Sequence, residues 1–299
     1  VLAQTFSDFE YLIIGDCCTD DTEAVVGEFD DRRIRWLNLP TNQGNQSDVN
    51  RVAVRLATAD YIAYLNHDDI WFPEHLQSLH EAISGQGLDV VNSYALGIKP
   101  EGHFFRHVMG VPYRAKEKGG MSVYPMTSNI MHSKKAALDC GNWTPWRQTS
   151  DVPTQEFFAR LRNLNGKYGM VPLVTSLKFH SGDRRNSYRK KSAREQESWF
   201  LRMQRDPDLR HREMALAMSC KQLQIEAPVL NVPAKPKNAP PGWQIEQWRR
   251  LRGLNPMLDL GDSEPEATDA GLPPARDELI RTRGDAGPVI LARPDDEQA

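Results

Sequence analysis

The 299-residue sequence predicts an α/β fold, a mixed sheet flanked by helices, followed by a proline-rich acidic tail. Three observations carry that expectation. Short apolar runs alternate with helical stripes as far as Ser84, the pattern of parallel winding. Beyond Leu88, two apolar runs flank a turn at Lys99-Pro100-Glu101-Gly102, the pattern of antiparallel pairing. Between these regions, Tyr61 to Leu65 reads as a buried strand that runs directly into Asn66-His67-Asp68-Asp69. Ligands of open α/β sheets sit outside the carboxyl ends of their strands, so this acidic turn falls where chemistry is usually placed.

In chain order, Val1 to Phe6 reads as the end of a helix and Tyr11 to Ile14 as a strand. A doubly wound domain normally opens on a strand and the sequence lacks an initiating methionine, so a first strand and most of a first helix are expected ahead of it. Gly15 permits a turn, and Thr19, Asp20 or Asp21 can cap a helix carrying Ala24, Val25 and Phe29. Ile34 to Leu37 is a further strand. The polar cluster Asn42 to Ser47 precedes a helix whose Val49, Val52, Ala53, Leu56 and Ala57 share one face at i, i+3, i+4 spacing. Pro73 opens another helix after the acidic turn. Val90 to Leu96 and His103 to Val108 form the antiparallel pair, Met126 to His132 a strand, and Lys134 to Leu138 a short helix. A helix starting near Asp151 and Pro153 carries Glu156 to Leu161, and Gly166 to Leu177 supplies the last strand. After a basic loop, helical sequence resumes to about Ile225.

Composition then breaks. Residues 228–299 hold 11 of the 20 prolines, and the last 41 residues carry 11 acids against four arginines, so most of this tail is expected to be disordered. One island, Gly242 to Leu254, sets Trp243, Ile245, Trp248, Leu251 and Leu254 among arginines. It reads as a short amphipathic helix docking on the main domain or on a partner, and the acidic tail beside it argues against anionic lipid. Elsewhere, 39% hydrophobic and 26% charged residues suit an ordinary globular core, and a net charge of −3 argues against a nucleic-acid partner. Four cysteines, Cys17 and Cys18 adjacent, form neither a disulfide framework nor a CxxC pair, which favours a reducing, cytoplasmic compartment. No run approaches the roughly 18 apolar residues of a membrane span, and no signal-peptide pattern opens the sequence.

Adjacent carboxylates such as Asp68 and Asp69 raise one another's pKa unless a cation or hydrogen-bond donors compensate. A divalent cation carrying phosphate oxygens is one compensation. A solvated acidic turn that merely caps the next helix is the other reading. Asp16, at the end of the Tyr11 to Ile14 strand, is a ligand-facing acid or a turn residue. Arg184, Arg185, Arg189, Lys190, Lys191 and Arg194 lie within eleven residues without an acid, a loop able to hold a pyrophosphate or to remain a solvated charge run.

The runs Leu2 to Ile14, Asp16 with Thr19-Asp20-Asp21-Thr22, Asn42 to Asn50 and Tyr61 to Pro73, in that order, resemble the nucleotide-sugar half of family 2 glycosyltransferases with the GT-A fold. The resemblance covers roughly residues 1 to 180. It implies a nucleotide-diphosphate sugar donor, a divalent metal (Mn2+ or Mg2+), and transfer with inversion to a carbohydrate, lipid-linked or other hydroxyl acceptor. On this view residues 1–88 bind the nucleotide sugar, residues 89–227 bind the acceptor, and residues 228–299 are an appended tail, the whole lying in the cytoplasm or peripheral to the inner face of the membrane. By matching motif, Asp16 hydrogen-bonds the donor's base, Asn45 joins the donor-binding residues, and Asp68 is the metal-binding acid of the Asp-x-Asp motif. Asp69 and His180 are further metal candidates, Arg184 and Arg185 candidate clamps for the diphosphate, and Asp151 the general base. The competing reading for His180 is a surface histidine, and for Asp151 a helix cap. Three departures keep a catalytically degraded nucleotide-sugar-binding or scaffold protein in contention: Asn66 stands in place of the motif's first acid, Gly15 where the family usually has an acid, and the expected opening strand is missing from the sequence.

Overall fold

The computed structural model describes residues 1–114, 121–184, 186–190, 192–225 and 235–260. The acidic tail beyond residue 260, with its expected disorder, lies outside the described residues.

The β-branched and aromatic runs form Tyr11–Gly15 (β1) and Ile34–Asn38 (β2), which pair in parallel with Tyr11 opposite Ile34. Thr22–Gly27 (α1) lies between them and stops at Gly27, where helix propensity falls. Neither Val25 nor Phe29 is buried, so the expected apolar stripe of α1 covers nothing among the described residues. Gln46–Leu56 (α2) starts on Asn45, whose side chain accepts from Ser47 N at 3.0 Å. The strand expected over Tyr61 to Leu65 shortens to Tyr61–Ala63 (β3). The chain turns because Asn66 N donates to Ser128 Oγ at 3.1 Å, and a two-residue strand, Ile70–Trp71 (β4), follows the acids. His75–Gln86 (α3) comes next and ends on Gly87 at φ 59°.

Val90–Ile98 (β5) is the central strand, and Arg106–Met109 (β6) pairs antiparallel with it as the hairpin pattern predicts. Pro112–Arg114 (β7) and Met121–Val123 (β8) form a separate hairpin. The strand expected from Met126 begins only at Ile130–Ser133 (β9), because Thr127–Asn129 forms a 3-10 turn with its side chains buried in hydrogen bonds. Lys134–Asp139 (α4), Pro153–Asn165 (α5) and the long strand Tyr168–Phe179 (β10) follow, then Ser187–Lys190 (α6), Arg194–Arg205 (α7), Leu209–Gln222 (α8) and Trp243–Leu251 (α9).

The main sheet runs β3-β9-β5-β10-β4, with β6 beside β5. Parallel pairing is confined to β1 with β2 and β5 with β10, so the fold is a mixed α/β sheet and the parallel winding expected up to Ser84 ends at β2. The β5–β10 register slips around Pro172, which has no amide to give the ladder. Leu76, Leu79 and Ile83 of α3 pack with Trp71, Val91 and Met131 on the sheet. Phe157 and Leu161 of α5 join Trp143, Ile130 and Val90, while Trp199 and Leu209 close on Phe72, Leu96 and Phe179. Residues of β1 and β3, which belong to separate sheets, line one cavity of about 1160 Å3. Asp16, Asn66, His67 and Asp68 line it too, at the carboxyl ends of those strands.

Candidate functional site

Asp16 is set immediately after β1 by Gly15, where a Cβ would lie 2.6 Å from the Trp36 ring and 2.8 Å from Asn38 Oδ1. That close approach excludes an acid at position 15 and leaves Asp16 to carry the charge. Its Oδ1 accepts from Gln43 N at 2.6 Å and its Oδ2 from Gly44 N at 3.2 Å, so it holds the loop that leads into α2 against the end of β1. Asn45 lines the same cavity while capping α2.

The two adjacent acids point to different surroundings. Asp68 lines the cavity, and Lys178 Nζ on β10 lies 3.7 Å from its Oδ1. Burial pushes the Asp68 pKa up, but Lys178, His67 and Arg252 more than offset this and hold it below the usual carboxylate range. Asp69 has its side chain fully enclosed. It accepts from Ser128 Oγ at 2.6 Å, Lys178 Nζ at 3.0 Å and Phe179 N at 3.2 Å, so it ties the acidic turn to β10 and its lone pairs face protein. Lys178 in turn sits above the usual lysine range: burial lowers it, and the adjacent Asp69 and Asp68 outweigh burial.

His180 is half-buried and lines the cavity, stacked on His107 with ring centroids 5.8 Å apart and with Nε2 3.3 Å from Met109 Sδ. Desolvation, reinforced by Lys178 and His107, pulls its pKa down to about 3, so the imidazole is neutral on the cavity wall. Arg184 is not among the residues that line the cavity and is committed elsewhere: it grips Glu195 through Nε at 2.6 Å and Nη2 at 2.5 Å and donates to the His180 and Ile98 carbonyls. Arg185 lies outside the described residues. Asp151 is exposed at the entry to α5, its Oδ1 accepting from Val152 N at 2.7 Å, while the next four residues, Val152 to Gln155, line the cavity. Among the described residues there is no group of three or more His, Cys, Asp and Glu side chains placed to hold a metal.

Residues 1–141 match the family model described as glycosyl transferase family 2. Over this stretch, just under half of its length, the chain is similar to family 2 glycosyltransferases. GlyA of Streptococcus pneumoniae serotype 4 is 22% identical over 139 residues, 46% of this chain and 20% of that protein. The UDP-Glc:alpha-D-GlcNAc-diphosphoundecaprenol beta-1,3-glucosyltransferase WfgD of Escherichia coli is 35% identical over 77 residues, 26% of this chain and 30% of its own. The chain therefore spans less than a third of the length of either relative. Among solved structures, S. aureus TarS 1-349 in complex with UDP aligns with 60% of this chain and 55% of its own at 17% identity, TM-score 0.49.

Two parts of the site lie beyond the stretch matched by the family 2 model, and sequence reasoning placed neither of them at the site. Lys178 was visible as a lone cation in an apolar strand, which calls for a buried carboxylate partner, but nothing local names Asp68 and Asp69. The second part is α9, the amphipathic island, which docks on the matched stretch over the loop at Gly44. Arg249 donates to the Gly44 carbonyl, and a Cβ on Gly44, itself at φ 85°, would strike the Met257 sulfur. Trp248, Arg249, Arg252 and Leu254 thereby join the lining of the cavity that holds Asp16 and Asp68.

Proposed function

We propose that this protein transfers a glycosyl group from a nucleotide-diphosphate sugar to a hydroxyl of an acceptor, with inversion. The observation that carries the reading is the convergence of Asp16, Asn45 and Asp68 on one cavity at the ends of β1 and β3, inside the family 2 stretch. The name of WfgD supports a UDP-sugar donor and a diphosphate-lipid-linked acceptor as the first pair to test. Four free cysteines are in keeping with a reducing, cytoplasmic site of action.

The chemistry follows from charge. As the bond from the sugar C1 to the diphosphate oxygen breaks, negative charge builds on the departing nucleoside diphosphate. Fixed cations near it stabilise that charge most in the transition state. Lys178 keeps the acidic turn in place. A divalent ion, if one is used, would be held by the hard oxygen of Asp68, with the neutral His180 imidazole on the same wall as a further candidate ligand. When bound, such an ion supplies charge neutralisation to the diphosphate. Asp69, enclosed among its donors, is not assigned to it. The acceptor hydroxyl gives its proton to the Asp151 carboxylate as its oxygen attacks C1 from the face opposite the leaving group.

Calorimetry with UDP and manganese, paired with turnover of UDP-sugars on lipid-linked acceptors, tests both assignments. Asp68→Asn should weaken metal-dependent UDP binding. Asp151→Asn should leave binding intact and lower turnover by about 10² to 10⁴. Unchanged turnover in Asp151→Asn would return that residue to its role at the start of α5. The competing reading, a nucleotide-sugar-binding protein without turnover, draws on Asn66 in the place of an acid and on Asp68 being already paired to Lys178. It predicts donor binding with no transfer to any acceptor.

A further inference from the structure

Among the described residues, the roof of the cavity contains one arginine whose guanidinium makes no hydrogen bond or close ion pair with the protein. Arg249 on α9 donates to the Gly44 and Asn255 carbonyls and lies 3.8 Å from the buried Glu246 carboxylate, and Arg250 lies 3.7 Å from the same carboxylate. Arg252, one residue past α9, differs from both. It lines the cavity with Asp68, Lys178 and Tyr188; its Nε is buried without a hydrogen-bond partner, as are those of Arg249 and Arg250, but unlike theirs its guanidinium has no carboxylate or carbonyl partner among the described residues. What it has is a platform: its Cζ stands 5.3 Å from the Tyr188 ring centroid and 5.9 Å from that of Trp248, and Tyr188 in turn meets the His67 ring at 5.1 Å. The aromatic faces fix the guanidinium beside the acidic turn without using its N–H donors.

A partly buried guanidinium with free donors is costly unless a ligand supplies acceptors, and a planar fork suits the paired oxygens of a phosphate. No carboxylate of the site bonds Arg252: Asp69 and Asp16 are engaged with other donors, and Asp68, which feels the Arg252 charge at longer range, faces Lys178. We propose that Arg252 binds the diphosphate of the nucleotide donor. The segment from Gly242 to Leu258, outside the family-matched stretch, thereby completes the donor site as its roof. This rests on the donor reading above and adds to it a specific ligand for the two phosphates.

The test is calorimetric, on the full chain with manganese present, using UDP and uridine as probes. Arg252→Met keeps the aliphatic stem that packs on Tyr188 and Trp248 and removes the charge. It should weaken UDP binding ten- to a hundred-fold, as expected for about 1.5–3 kcal/mol of charge-assisted hydrogen bonding, and leave uridine binding unchanged. Arg252→Lys should recover part of the loss. UDP affinity equal to wild type in Arg252→Met would overturn the proposal while leaving the donor reading in place. Equal losses for UDP and uridine would overturn it too, by showing that Arg252 acts through the seating of α9. If the wild type binds none of UDP, GDP, ADP and CDP, the donor reading fails and the proposal with it.

Discussion

At the scale of single residues the site turns on Lys178. It is the cation between Asp68 and Asp69, at 3.7 and 3.0 Å, with all three side chains largely out of solvent. Removing one partner of such a cluster is far worse than never having built it, because two carboxylates are left buried without a counter-charge. Lys178→Met, which keeps the stem, is expected to lower unfolding free energy by about 3–5 kcal/mol at neutral pH, read from urea denaturation. Lys178→Arg should recover much of it. A loss under about 1 kcal/mol would show that Ser128 and the Phe179 amide compensate the acids by themselves. The same residue explains why Asp69 drops out of the metal set: an adjacent pair of acids reads identically in sequence whether both face a ligand or one is turned into the protein.

At the scale of elements, three of them meet at the Tyr64 hydroxyl. It accepts from Trp143 Nε1 at 2.9 Å and donates to His132 Nε2 at 2.6 Å, an order fixed because His132 Nδ1 must donate to the Ser133 carbonyl. This joins the end of β3 to β9 and to the chain after α4. Tyr64→Phe strands two buried nitrogens and should cost about 2–4 kcal/mol in the same assay; a change below about 1 kcal/mol would mean the neighbours find other partners. The elements themselves were legible where the information is local. The β-branched and aromatic runs of β1, β2, β5 and β10 show in the pattern, as do the apolar stripe of α2 and the Pro153 start of α5, and the ends of β1 and β3 point to Asp16 and Asp68. What could not be read is decided by partners far along the chain. Ser128, reaching Asn66 N and Asp69, shortens β3 and replaces the start of the expected strand at Met126 with a turn. Arg249, reaching the Gly44 carbonyl, brings α9 over the cavity. Arg184 looks like a free anion clamp in sequence, and Glu195 claims it eleven residues later.

At the scale of the whole molecule, the fold keeps histidines neutral in separate places, and this sets its response to acid. His75 on α3 stacks on Trp71 and meets Thr175 Oγ1 at 2.7 Å, His132 sits in the Tyr64 cluster, and His180 lies beside the cavity. Burial holds their pKa values at about 3, about 4 and about 3, well below the ordinary 6.5. Below pH 6.5 the unfolded chain therefore takes up protons that the folded chain refuses, so stability is full above the unfolded value and is lost as pH falls through it. Each histidine contributes up to about 1.4 kcal/mol per pH unit, which for the three together is on the order of 5 kcal/mol by pH 5. Glu10 and Asp31, whose folded values lie at about 2, act in a lower window. Their stabilisation is present above the ordinary carboxylate range and fades only as pH drops from about 4 towards 2, leaving the interval from pH 6.5 to 5 to the histidines. Urea midpoints should accordingly be level from pH 8 to 7 and fall steadily from pH 6.5 to 5, with net proton uptake on unfolding. His75→Gln, which cannot titrate, should flatten the slope by about a third relative to its own value at pH 8. A midpoint that stays constant from pH 8 to 5 would show that these rings reach solvent or carry charge in the folded protein, and would remove the ground for treating His180 as a neutral group on the wall of the cavity.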